Sequence, residues 1–288
     1  MAYIRTALAR WRQWQRGGDA PPAEGVGEAI GLRPDQVHVA FLPQLGCETC
    51  RVTGLRIVTG FDLPGGGTLT LDEVQAQLPD DLLGSSIMAG FRLALTALRR
   101  WDRLGVGPGV LTLPLAPGAL ADGFLVQEML WELDRQNIEP WRIEVEFLEP
   151  EGGDIDRLRV ADGVQTLSRA GCRIAMGGFG SGGAPAEMLH ALGVSRVRIG
   201  RRFVAHCDSR ASQQQMILPI LALAQHLQLE TLADGVATAG ERAFLTQIGL
   251  GAIQGRGVLP VLSGAAIDDI LLGQRGVRPL AIPLRNAG

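Results

Sequence analysis

The sequence predicts an α/β protein, a modified TIM-like (β/α)8 barrel of the kind that opens with an antiparallel hairpin. Three observations predict it. Eight short extended runs recur after residue 36, and six of them alternate with helical patterns; such alternation gives parallel strands joined by crossover helices. The first two runs are separated by only a short turn, so they are antiparallel neighbours. The chain has 288 residues, 46% of them hydrophobic, which suits a single barrel of about 250 residues.

The elements follow in order. Residues 2–16 read as a short basic helix, with Ile4, Leu8, Trp11 and Trp14 on one face and Arg5, Arg10, Arg12 and Arg16 around them. Such a helix binds a membrane surface, a partner helix or its own domain, and the residues leave these open. Residues 17–35 are rich in Gly, Pro and Ala and read as a linker. The chain therefore divides into an N-terminal helix and linker at 1–35 and a barrel domain at 36–288. Strands are predicted at 37–43, 51–58, 110–115, 142–147, 172–176, 196–199, 229–232 and 251–254. Helices are predicted at 71–78, 85–104, 119–135, 155–170, 185–192, 213–227, 239–248 and 264–272. The tail from 273 carries Pro279 and Pro283 among arginines and reads as an irregular surface segment.

Composition excludes several classes. Charged residues are 20% and the net charge is −3, so no basic footprint for nucleic acid is present. No apolar run reaches the ~18 residues of a membrane span. The N-terminus lacks a signal-peptide core, and a cytoplasmic chain without a transmembrane segment is expected. Four cysteines make no disulfide scaffold at this length. Cys47 and Cys50 form a CETC pair. They are read as two thiols in a hairpin turn, over half a zinc site or a redox pair, because no second CxxC or HxxxH accompanies them. Cys172 is expected in the core, and Cys207, in a polar turn, is a candidate for exposure.

In such a barrel chemistry sits at the C-terminal ends of the strands. The residues there are Arg56, Pro114, Glu146, Glu149, Gly177, Gly178, Arg198, Asp234 and Gln254. Around them stand GFGSG at 178–182, LADGVAT at 232–238, QGRGVLP at 254–260, IEVEFLE at 143–149 and VRIGRRFV at 197–204. In their order along the chain the five motifs resemble the EAL domain, the bacterial cyclic di-GMP phosphodiesterase family, over about residues 37–272. The resemblance implies hydrolysis of one phosphodiester bond of cyclic di-GMP, with two divalent metals held mainly by carboxylates and an Asn.

Position by position, the match implies a degenerate site. The signature Glu falls on Arg56, the metal-binding Asn on Pro114, and the paired Asp residues on Gly177 and Gly178. The Lys of the KID motif falls on Arg198 and its Asp on Gly200. The first Glu of EGVET falls on Asp234 and the second on Ala237. Glu146, Glu149 and Gln254 match outright, and with Asp234 form the remnant of the site. On the nucleotide side, the family's Gln falls on Leu42 and a phosphate-contacting Arg on Gly60. Two divalent ions would meet few carboxylates and two permanent guanidiniums. No catalytic residue, no bound metal and no cofactor are therefore expected; Mg²⁺ or Mn²⁺ would accompany only an active site.

Two arrangements of the substituted residues are expected. In one, Arg56 takes the place of a metal ion and pairs with Glu146 or Glu149. In the other, Arg56, Arg198 and Arg256 contact an anion, against three unrelated surface arginines. The function expected is a non-catalytic regulatory module working by protein–protein contact in motility, biofilm or a similar output. A cyclic di-GMP receptor that does not hydrolyse, and an active phosphodiesterase with an atypical site, are the alternatives. The glycine loop after 177 implies a homodimer by resemblance. The protein partner is unnamed by the sequence.

Overall fold

In the computed structural model, residues 33–62, 67–75, 78–148, 157–178 and 186–274 are described. The expected N-terminal helix, most of the linker, the tail from 275, Glu149 and residues 179–185 of the glycine loop lie outside them.

The opening hairpin is longer than expected. β1 (Val37–Gly46) and β2 (Val52–Asp62) pair antiparallel from Val37↔Phe61 to Leu45↔Val52. The chain continues through β3 (Thr68–Thr70), α1 (Leu71–Val74), α2 (Asp80–Leu104), β4 (Val110–Leu115), α3 (Pro117–Ala121) and α4 (Gly123–Gln136). Then come β5 (Ile143–Leu148), α5 (Arg157–Arg169), β6 (Arg173–Gly177), α6 (Ala186–Ala191), β7 (Arg196–Ile199) and α7 (Arg201–Val204). The described chain ends with α8 (Ala211–His226), β8 (Glu230–Ala233), α9 (Ala239–Gln247), β9 (Ala252–Ile253), β10 (Leu262–Ser263) and α10 (Gly264–Gln274).

The strand order is β1-β9-β8-β7-β6-β5-β4-β2, and β2 returns to β1. That is a closed eight-stranded barrel in which β1 alone runs against its neighbours; β2 and β4 to β9 are mutually parallel. Closure leaves no open edge inside the barrel. The two short strands β3 and β10 extend β2 and β1 outward; at three and two residues they carry no readable alternation.

The helix expected at 119–135 is two helices. The Asp122 carboxylate accepts hydrogen bonds from the N–H groups of Phe124 (2.9 Å) and Leu125 (3.3 Å) and caps α4, the role an Asp takes at a helix start. α2 begins five residues earlier than expected and ends at Gly105, whose φ of 67° makes the left-handed stop. It is long and apolar enough by composition to cross a membrane. Here Ile87, Met88, Phe91, Leu95, Leu98 and Trp101 face the barrel and are buried. Trp101 packs edge-on against Phe41 of β1, ring centres 5.0 Å apart. The Trp101 indole N–H and the Arg100 guanidinium both donate to Asp268 Oδ1, at 2.6 and 2.7 Å, fastening α10 to α2.

One level of the barrel interior is polar. Gln44, Thr112, Glu144 and Arg196 are almost fully buried. Gln44 Nε2 donates to Thr112 Oγ1 (3.1 Å), Thr112 Oγ1 to Glu144 Oε1 (2.9 Å), and Arg196 Nη1 to both Gln44 Oε1 and Glu144 Oε1 (3.1 Å each). Burial raises the pKa of Glu144 above the ordinary carboxylate value, and Arg196 and Thr112 offset only part of that. Arg196 and Arg173 then share Glu230 beside a cavity of about 590 Å³ at the N-terminal end of the barrel. Cys172 is buried as expected. Cys207 is fully buried too, correcting its expected exposure: the turn that carries it packs inward beneath α8, where Gln214 Nε2 donates to its carbonyl.

Candidate functional site

Strand alternation builds the site. Side chains two apart on a strand share a face, so Glu146 stands one layer above Glu144 and Arg198 one layer above Arg196. Arg56 sits across from Leu42 of β1, Pro114 beside Glu146, and Gly177 beside Arg198. Asp234 and Gln254 follow β8 and β9 and are fixed by their backbones. The Asp234 N–H donates to the Ile199 carbonyl, and the Gln254 N–H to the Ala233 carbonyl, both at 2.9 Å.

These residues form one chain of charge across the mouth. Glu146, 3% exposed, directs Oε1 toward Arg56 Nε at 3.6 Å and Arg198 Nη2 at 3.2 Å. Arg198 Nη1 donates to Asp234 Oδ2 at 2.7 Å, and Gln254 Nε2 to Asp234 Oδ1 at 2.9 Å. At the other end Arg56 Nη2 donates to Asp72 Oδ2 of α1 at 2.8 Å. Burial alone would lower the pKa of Arg56, but Glu146 and Asp72 outweigh it and raise it above the ordinary arginine value. Arg56 therefore carries a permanent charge in a mostly desolvated place.

The structure brings Arg56, Glu146, Arg198, Asp234 and Gln254 together. Arg256 lies exposed in the turn after β9. Gly178 takes φ 74°, a conformation suited to glycine. On the nucleotide side, Gly60 lies across from His38, whose imidazole would meet any side chain placed at 60.

The described residues of the mouth do not fit a pair of divalent ions. Such ions take several hard oxygen ligands each. Pro114 offers none from its side chain, and Glu146 and Asp234 are already engaged by guanidiniums. A Cβ built on Gly177 would lie 3.0 and 3.1 Å from Arg198 Nη2 and Nε, so Arg198 fills the space a carboxylate on β6 would need. Among the described residues no three His, Cys, Asp or Glu side chains gather where they could hold a metal ion.

Sequence reasoning missed two supports of this mouth. Asp72 holds Arg56 from outside the barrel, and no spacing along the chain signals it. Glu241 is 2% exposed and accepts N–H groups of Ala237 (2.7 Å), Thr238 (3.2 Å) and His206 (2.9 Å), which pins the loop just after Asp234. Thr238-x-x-Glu241 is a capping box at the start of α9, a signal present in the sequence.

Residues 24–260 match the family model described as the EAL domain. The chain is 28% identical over 156 residues to the cyclic di-GMP phosphodiesterase PdeR of Escherichia coli, covering 54% of this chain and 23% of PdeR. It is 28% identical over 154 residues to the blue light- and temperature-regulated antirepressor BluF of Escherichia coli, covering 53% of this chain and 38% of BluF. The chain thus spans well under half the length of either relative. The fold is similar to that of PaMucR phosphodiesterase in its c-di-GMP complex, with a TM-score of 0.74 at 22% identity over 81% of this chain and 94% of that one.

Proposed function

This chain belongs to the EAL domain family, and on that premise we propose that it is a non-catalytic member that regulates cyclic di-GMP-linked signalling by contacting a protein partner. The observation that carries the reading is Glu146 shared between Arg56 and Arg198. Each guanidinium brings a delocalised positive charge to where the family's reaction would need a divalent cation, and neither is lost at physiological pH. Metal-activated water attack on phosphorus needs oxygen ligands that face inward and are otherwise uncommitted. Pro114 and Gly177 supply none, and Arg198 occupies the room beside Gly177. What stays intact is the barrel and its supports. A relative designated an antirepressor is in keeping with a regulatory role.

The test is threefold on the full chain. Cyclic di-GMP is incubated with Mg²⁺ and with Mn²⁺, and the linear product is measured; turnover above blank with either metal overturns the proposal. Calorimetry with cyclic di-GMP is expected to give no binding in the micromolar range; a site of that affinity favours the receptor reading instead. A pull-down from the native host is expected to recover a partner whose binding survives removal of the nucleotide.

A further inference from the structure

The Cys47–Cys50 pair sits in a position its sequence does not disclose. The turn between β1 and β2 is closed by the Cys50 N–H donating to the Gly46 carbonyl at 2.9 Å, and Cys50 takes φ 51°. A single helical turn of this kind brings positions three apart to within about 5–6 Å at Cα, inside the range a disulfide spans. Cys50 is exposed and Cys47 is buried. Arg242 of α9 reaches across and donates from Nη2 to Cys50 Sγ at 3.4 Å. Burial raises the pKa of the Cys47 thiol, which suits it to resolve a mixed disulfide and not to open the reaction. Two thiols of unequal access, with a guanidinium on the outer sulfur, form a dithiol in which one sulfur meets the reagent and the other resolves it.

We propose that Cys47 and Cys50 are a redox-active dithiol that exchanges with low-molecular-weight disulfides of the glutathione class. The Cys50 thiolate attacks one sulfur of the disulfide, forming a mixed disulfide on Cys50 and expelling one small thiolate. Cys47 gives up its proton, and its sulfur attacks Cys50 Sγ. The Cys47–Cys50 bond forms, and the second small thiolate leaves. The protein dithiol loses two electrons, the small disulfide gains them, and the two thiol protons end on two small thiols. Arg242 favours the Cys50 thiolate that opens the first step. The site is independent of the barrel mouth. It reports to the barrel seam instead: the Cys47 N–H donates to the Gly251 carbonyl at 3.1 Å, and Gly46 pairs with Ala252 of β9.

Cys172 and Cys207 serve as internal controls, since burial pushes them up to about 12 and about 11. The folded full chain is incubated with glutathione disulfide, quenched by alkylation and mapped by mass spectrometry. Wild type is expected to lose both thiols at 47 and 50 to one intramolecular disulfide, with Cys172 and Cys207 still alkylated. Cys47→Ala is expected to stop at one glutathione on Cys50, and Cys50→Ser to react with neither. Arg242→Gln, with an unchanged circular-dichroism spectrum, is expected to slow the reaction several-fold. A wild-type chain that ends with a stable glutathione on Cys50 and a free Cys47, or one whose Cys50 reacts no faster than Cys172, overturns the proposal.

Discussion

Arg198 on β7 occupies the room that Gly177 on β6 leaves open. The two are register partners, and the guanidinium lies 3.0 Å from where a side chain at 177 would begin. The absent side chain and the large one are a single packing solution. The head of Arg198 cannot move aside freely, because Asp234 and Glu146 hold it.

The first prediction tests that coupling. Gly177→Ala is expected to destabilise the protein by about 1–2 kcal/mol, the range for overpacking. In an Arg198→Met background the same change is expected to cost less, the remainder being the contact with Leu148 Cδ2 at 2.8 Å. A double-mutant cycle in urea measures the difference, and full additivity would mean that the two positions do not share space.

A second prediction concerns the centre of the mouth. Glu146→Ala leaves two mostly buried guanidiniums facing one another, each still held by one carboxylate (Asp72 and Asp234), and is expected to cost about 2–4 kcal/mol, somewhat less than a fully broken buried pair. The triple replacement Arg56→Met, Glu146→Leu and Arg198→Met removes the three central charges and leaves only the partly exposed Asp72 and Asp234 without their guanidinium partners. It is expected to lose less stability than Glu146→Ala alone. Urea midpoints of the two variants decide the order.

The third prediction is a pH dependence. Burial alone would raise the pKa of Glu241, but the amides of His206, Ala237 and Thr238 outweigh it and hold it below the ordinary value. A carboxylate depressed in the folded state stabilises above its ordinary value, and that stability is lost as pH falls through the folded one. Glu241→Gln is therefore expected to lower stability by roughly 1–3 kcal/mol near neutrality, with a smaller deficit in acid. Urea unfolding at neutral and acid pH measures it, and a deficit that grows in acid contradicts the assignment.

A fourth prediction addresses the last helix. Asp268→Ala leaves the Trp101 indole and the Arg100 guanidinium without their shared acceptor. A loss of about 1–3 kcal/mol is expected. Hydrogen exchange is expected to rise first in α10, and a uniform rise across the barrel would show that Asp268 does not fasten that helix.

Much of this was legible in the sequence, for physical reasons that also mark where reading stopped. Strands such as Val110–Leu115 are short, largely apolar runs that alternate with helical patterns, so the eight of the barrel and the reversed first one were foreseeable. The proximity of Arg56 to Glu146 follows from their strand-end positions. Asp72 was not foreseeable, because its contact with Arg56 depends on how α1 folds back over β2. Glu144 and Arg196 were overlooked although each stands two residues before a site residue that was singled out. Strand alternation places such pairs on one face, so a charged residue two before a strand end marks the layer beneath. The break at Asp122 was missed because an apolar helical pattern runs across it, and only the capping carboxylate separates the two helices.

The reversed strand β1 has a consequence for how the chain reaches this state. Leu45 and Gly46 pair with Ile253 and Ala252, at nearly opposite ends of the described sequence. Until β9 has been synthesised, that side of β1 is an unpaired strand edge, the kind of surface on which chains associate wrongly. Ring closure between such distant segments also carries a loop-entropy cost that local contacts must offset first, so the closing pair is expected among the last to form. The hairpin β1–β2 can fold early and wait, holding half of the lock for a key that the ribosome makes some two hundred residues later.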